Sequence, residues 1–119
     1  MNIEELRRYC LSKKSVVEGF PFDETTLVFK VEKKMFLLTN IEGDFMINVK
    51  CEPEKAIDFR ERYPNKISPG YHMNKRLWNT VIIDGFFDDD VIKQWVDDSY
   101  DLVVASLTKK EKKQIFESI

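Results

Sequence analysis

The sequence predicts an α+β domain of two layers, an antiparallel sheet covered by helices, in the order α-β-β-β-α-β-β-α-α. Three observations lead there. Apolar residues recur at helical spacing near both ends and in two interior stretches. Between them they alternate with period two, as in half-buried strands. The connections among the first three strands are of hairpin length, which makes that part of the sheet antiparallel, with helices on its face.

Asn2, with Glu5 three residues on, has the form of a helix N-cap with its reciprocal acid. Ile3, Leu6, Tyr9 and Cys10 then predict a first helix over about 3–13. Gly19-Phe20-Pro21-Phe22 breaks that pattern and opens an irregular stretch. Leu27, Phe29 and Val31 alternate with Val28 and Lys30 as a strand, Glu32-Lys33-Lys34 turns the chain, and Met35 to Thr39 returns. After the turn Glu42-Gly43-Asp44, Phe45, Ile47, Val49 and Cys51 point one way and Met46, Asn48 and Lys50 the other. Pro53 suits the first position of a helix that carries Ala56, Ile57, Arg60 and Tyr63 and stops before Pro64.

Pro69-Gly70 makes a sharp turn into a strand, and Trp78 to Ile83 forms another that ends at Asp84-Gly85. Asp88 can cap a long helix with the stripe Val91, Ile92, Trp95, Val96, Leu102 and Val103. Thr108 and Glu111 repeat the capping-box spacing and start a last helix with Ile115 and Phe116 on its inner side.

A chain of 119 residues suits a single domain over 1–119. Its 43% apolar and 13% aromatic content can fill a core and excludes disorder by composition. No apolar run approaches the roughly 20 residues of a membrane span, and the acidic N-terminus lacks a signal-peptide hydrophobic region. Cys10 and Cys51 have no CxxC spacing and read as small buried hydrophobes, so a reducing cytoplasm is expected. The net charge of −2 opposes strong electrostatic binding to nucleic acid, but it is unevenly spread. Residues 45–83 carry seven Lys/Arg against four Asp/Glu, a balance of +3, whereas residues 84–101 carry seven Asp and one Lys, a balance of −6.

Neither a glycine-rich phosphate loop nor a triad or carboxylate pair is visible, and no catalytic residue, metal site or cofactor is predicted. His72, the single histidine, has no nucleophile motif beside it and cannot make a zinc site of the usual His/Cys type. Asp88-Asp89-Asp90 fails the calcium-loop spacing and suits the first turn of a helix. Trp78 and Trp95 sit on apolar stripes and read as core. Within Pro69 to Arg76, alternation sends Tyr71 and Met73 inward, while Lys75 and Arg76 serve either as solvated charges or as phosphate contacts. Asn79, opposite Trp78 on its strand, is expected to be an exposed polar contact. Lys33, Lys34 and Lys50 can extend a basic surface or guard strand edges, and Lys109, Lys110, Lys112 and Lys113 cluster on the last helix.

The segments Asn48 to Glu54, Pro69-Gly70-Tyr71-His72-Met73-Asn74-Lys75-Arg76, Trp78-Asn79-Thr80-Val81 and Ser99 to Val103, in this order, resemble the MmcQ/YjbR family over nearly the whole chain. Leu77 departs from it, since the family often carries His just before the Trp. The resemblance implies a CyaY-like, secretion-chaperone-like fold and a double-wing mode of DNA binding, in which two hairpin loops straddle the duplex. Joined to the basic middle segment, it nominates Lys33, Lys34, Lys50, Lys66, His72, Lys75, Arg76 and Asn79 as the nucleic-acid contacts. A monomer without membrane contact is expected. Two alternatives stay open: a protein-interaction or adaptor module using the sheet face or the acidic helix, through Asp97 and Asp98, and a small-anion site around His72, Lys75 and Arg76.

Overall fold

The computed structural model describes residues 1–70 and 73–117. Ten elements follow in order: α1 (Ile3–Leu11), β1 (Val16–Gly19), β2 (Thr26–Val31), β3 (Lys34–Asn40), β4 (Met46–Lys50), α2 (Pro53–Arg62), β5 (Ile67–Pro69), β6 (Trp78–Ile82), α3 (Asp89–Ala105) and α4 (Lys109–Glu117). The six strands form one sheet in the order β1-β2-β3-β4-β6-β5, antiparallel at every pairing. The α+β class and the predicted order are present, but the strand expected after Pro69-Gly70 lies before that turn, as β5, and residues 73–77 are bend and turn. The structure adds β1, an edge strand of four residues. Ser15, at φ 62, turns the chain back from α1 into it, where no periodicity announced a strand.

Local chemistry accounts for the element ends. Asn2 and Glu5 complete the capping box of α1, each side chain meeting the other residue's backbone N–H. Thr108 and Glu111 do the same for α4. Glu32 and Lys33, at φ 47 and 72, make the tight β2–β3 hairpin from two consecutive left-handed residues. Met1 and Tyr9 of the α1 arm meet Asp89 and Asp97 of α3, an offset of 88 residues both times, so the two helices run parallel, side by side.

The two faces of the sheet are filled unequally. Leu27, Phe29 and Val31 of β2, Ile47 and Val49 of β4 and Val81 of β6 join Leu6 and Cys10 of α1, Ile92, Trp95, Val96 and Val103 of α3, and Ile115 of α4 in one continuous core. Among the described residues the other face buries Val28, Leu38 and Trp78, packed with Met35, Met73 and Leu77. Between Phe29 and Lys30 the β2–β3 register slips by a residue, which leaves Phe36 unpaired and buries Phe36 and Leu37 together in the main core. Ser99 of α3 repairs the ladder at that bulge. Its hydroxyl donates to the Phe36 carbonyl at 2.5 Å and accepts the Lys50 N–H at 2.8 Å.

Three inward assignments change. Ile57, Val91 and Phe116 are 50, 38 and 63% exposed, because α2, α3 and α4 rest on the sheet through the neighbouring Ala56, Ile92 and Ile115. No helix among the described residues is long and apolar enough to cross a membrane.

Candidate nucleic-acid interface

Strand directions bring most of the predicted cations to one end of the sheet. Val31 pairs with Lys34, Leu37 with Val49, and Lys50 with Trp78. Hence the β2–β3 turn, the end of β4 and the start of β6 lie side by side, and the Cys51 N–H closes the β4–β6 pair on the Leu77 carbonyl at 2.7 Å. Lys33 and Lys34 stand at the turn, Lys50 ends β4, and Lys75 and Arg76 precede β6. With neighbouring strands about 4.8 Å apart, the step from β3 across β4 to β6 is about 10 Å. Lys33, Lys34, Lys75 and Arg76 are exposed and Lys50 is half-buried.

The turn that presents Lys75 and Arg76 is built by its neighbours. The Asn74 carbonyl accepts the N–H groups of Leu77 and Trp78, and its side chain accepts that of Arg76 at 3.0 Å. Gly70 donates its N–H to the Trp78 carbonyl at 2.8 Å. A Cβ at position 70 would stand 2.8 Å from the Trp78 Cβ, so only glycine allows this approach. Met73 packs against the cluster of Val28, Leu38 and Trp78 as expected, but from a bend and not by strand alternation. Tyr71 and His72, nominated for packing and for contact, lie outside the described residues.

Lys34 also has a structural partner. Its ammonium donates to the Ser106 carbonyl at 3.4 Å, at the C-terminal end of α3, whose own last turn carries no base. Nearby, the N–H and hydroxyl of Thr108 hold the Glu111 carboxyl below its ordinary range, with smaller contributions from Lys34 and Lys33.

Three other assignments are corrected. Lys66 sits at the opposite end of the sheet, where its carbonyl accepts the Ile82 N–H, and its ammonium is taken by Asp84 and lies over the Phe86 ring. That hydrogen bond is the main reason the Asp84 carboxyl is held low. Asn79 is 1% exposed and faces α2, where its Nδ2 donates to the Ala56 carbonyl at 3.1 Å. The alternation that set it opposite Trp78 was right, but both faces are covered here and Trp78 lies on the smaller one. Asp97 is not a free acidic contact either, since it accepts the Tyr9 hydroxyl at 2.6 Å and pairs with Lys13. Lys30 went unnominated. It shares the open face with Val28, on a strand whose alternation was visible in the sequence.

Trp78 and Trp95 are 7 and 9% exposed, and Cys10 is fully buried. Burial pushes the Cys10 thiol up to about 12 and the Cys51 thiol up to about 11. Among the described residues no group of three or more His, Cys, Asp or Glu is placed to hold a metal ion.

Together these features define a small α+β domain whose open antiparallel sheet carries a basic end. Known proteins share this fold. The YjbR family profile matches residues 11–102, and the chain belongs to that family. It is 34% identical over 113 residues to YbdF of Escherichia coli O157:H7, covering 94% of this chain and 92% of that protein. It is 32% identical over 114 residues to YjbR of Escherichia coli strain K12, covering 95% and 96%. Among solved structures, Deinococcus radiodurans protein DR2400, of domain DUF419, superposes with a TM-score of 0.91 at 36% identity, over 97% of this chain and 88% of that one. A Pseudomonas syringae protein superposes with a TM-score of 0.70 at 27% identity, over 86% and 98%.

Proposed function

We propose that the protein is a non-enzymatic module that binds duplex DNA through its phosphate backbone at the basic end of the sheet. The supporting observation is the convergence of Lys33, Lys34, Lys50, Lys75 and Arg76 on three neighbouring strands. The double-wing mode that the family resemblance implies has two natural counterparts here, the β2–β3 turn and the β5–β6 connection. Counted along the sheet, their centres are three strand spacings apart, about 14 Å. Lysines and an arginine without a base-reading helix favour contact that positions the chain without reading sequence. The net charge of −2 keeps the affinity modest.

Fluorescence anisotropy of a labelled duplex tests this. With five phosphate contacts, log affinity falls with log salt at a slope of about −4.5. Lys75→Glu with Arg76→Glu, and Lys33→Glu with Lys34→Glu, each weaken binding, while Lys66→Glu leaves it unchanged. No binding at low salt, or binding indifferent to all four basic-end charges, sinks the reading.

A protein partner is the second reading, favoured by Phe20, Phe22 and Ile41, which are 46, 63 and 47% exposed. They occupy two neighbouring loops joined by the Ile41 N–H to the Thr25 carbonyl. In that case Phe20→Ser with Phe22→Ser removes capture of the partner and leaves duplex anisotropy untouched.

A further inference from the structure

On the helix side of the sheet, the start of α2 and the C-terminal half of α3 enclose a cleft of about 220 Å³. Sites for drug-sized ligands span roughly 300–1,000 Å³, so this one admits a smaller metabolite. Its floor is apolar: Phe59 and Trp95, with ring centroids 5.4 Å apart, and Leu102. The Cys51 thiol in the wall, pushed up to about 11 by burial, stays neutral and inert near neutral pH.

The rim is divided by charge. On one side, Trp95, Asp98, Asp101 and Leu102 follow one face of α3 and set two carboxylates at the edge. On the other side the stretch from the end of β4 into α2 sets Lys50 and Lys55 beside the Glu52 carboxylate. Glu52, the N-cap residue, gives that turn no side-chain hydrogen bond, and Pro53 occupies its first position. The peptide dipoles at the start of α2 add positive potential beside Lys55, opposed by the Glu52 and Glu54 carboxylates. Asp98 accepts the Gln94 side-chain amide, and among the described residues neither Lys55 nor Asp101 forms an ion pair. The two carboxylates of α3 thus face two ammonium groups and one carboxylate across an aromatic floor.

We propose that this cleft binds a free α-amino acid with an apolar side chain. Its ammonium lies between Asp98 and Asp101, its carboxylate meets Lys55 and the first turn of α2, and its side chain rests on Phe59, Trp95 and Leu102. The proposal does not rest on the DNA reading: of the five basic-end cations only Lys50 also lines the cleft, and Lys33, Lys34, Lys75 and Arg76 take no part in it.

The two tryptophans give a built-in control. Trp95 lines the cleft, whereas Trp78 packs on the opposite face of the sheet. In ¹H–¹⁵N spectra of the whole chain, L-leucine or L-phenylalanine shifts the Trp95 indole signal saturably and leaves that of Trp78 in place. N-acetyl-L-leucine, which lacks the cation, and L-leucinamide, which lacks the carboxylate, bind at least about tenfold more weakly, a loss of about 1.4 kcal/mol each. Asp98→Asn with Asp101→Asn weakens L-leucine at least as much, with the rest of the spectrum unchanged. Ala105→Phe, which adds bulk at the cleft wall, abolishes the shift and keeps every charge. The proposal fails if neither amino acid moves the Trp95 signal at about 10 mM, tenfold above a Kd of about 1 mM. It also fails if the half-charged analogues bind as well as the zwitterions, or if the variants bind like the parent.

Discussion

The two faces of the sheet solve the burial problem differently. On the helix face, four helices contribute to one core, and Phe29, Phe36, Leu37, Ile47 and Val49 are at most 1% exposed. On the other face a single loop provides the cover. Residues 73–78 fold back so that Met73, Leu77 and Trp78 shield Val28 and Leu38, while Val17 at the β1 edge stays 60% exposed beside Lys30. The first face holds the fold. The second is a clamp of few residues, and the same short segment also presents Lys75 and Arg76. Resemblance within Pro69 to Arg76 therefore does not by itself separate packing from binding. Gly70 and Met73 belong to the clamp, and the two cations are exposed.

The largest contrast comes from truncating one aromatic on each face. Phe36→Ala removes a fully buried ring from the main core, beside Tyr100 at 5.4 Å and Phe29 at 6.5 Å. It should cost about 3–5 kcal/mol. Trp78→Ala opens only the small cluster, where flexible Met35 and Met73 can refill part of the space, so the loss should fall at the low end of that range or below it. Urea denaturation of both variants measures the difference. Equal losses would show the two faces to be one cooperative core.

Gly70→Ala attacks the clamp alone. A methyl 2.8 Å from the Trp78 Cβ and 3.2 Å from the Met73 Cβ forces the loop off the sheet. A destabilisation of about 2 kcal/mol is expected. Trp78 emission should shift to the red, and Trp95 should not respond. A variant as stable as the parent would mean that the loop relaxes at no cost.

Alkali separates the faces by chemistry, because both thiols lie on the helix side. Cys10 ordinarily loses its proton near 9.0, but burial holds it in the folded chain until about 12. A folded value above the unfolded one means that the contribution is complete below pH 9.0 and is lost as the pH rises towards 12. Between those limits the unfolded chain binds fewer protons, so stability falls as pH rises. One unit into that window the loss from Cys10 is about 1.4 kcal/mol. Tyr9, raised from 10.0 to about 12 first by burial and then by its bond to Asp97, steepens the fall from pH 10.0 upward. The urea midpoint at pH 10 relative to pH 8 should drop less in Cys10→Ala. An unchanged drop would assign it to other groups.

Much of this architecture could be read from residue types alone, and what escaped has identifiable causes. Capping boxes are local, so Asn2–Glu5 and Thr108–Glu111 were visible, as was Pro53 at a helix start. Period two located β2, β4 and β6. The bulge at Phe36 was hidden, because it depends on Ser99, 63 residues away, to satisfy the freed carbonyl. β1 was hidden because Val16–Gly19 is too short to show a period. For the basic end, alternation could tell which residues share a strand face, but not that both faces would be covered. Asn79 was therefore taken as exposed when it lies beneath α2. Lys66 was grouped with the other bases although chain direction carries it to the far end beside Asp84. The cleft lined by Lys55, Trp95 and Asp98 joins elements some 40 residues apart in the sequence, and no local pattern marks it.

The smallest expected effect on stability is the most informative about function. Lys75 and Arg76 are exposed, and among the described residues neither forms an ion pair. The Arg76 N–H that helps set the turn is backbone and survives substitution. Lys75→Gln with Arg76→Gln should therefore leave the unfolding free energy within about 0.5 kcal/mol of the parent. If both contact phosphate, the same pair should lower the magnitude of the log-salt slope of duplex binding by about 1.8, at 0.9 per lost contact. Gly70→Ala gives the reverse pattern, with reduced stability and a slope lowered only if the displaced loop withdraws both charges. Should the glutamine pair destabilise the chain as much as Gly70→Ala does, these residues belong to the clamp and the division within the loop is wrong. Should stability and slope both stay unchanged, the clamp stands and the basic end has lost its two best candidates for contact with DNA.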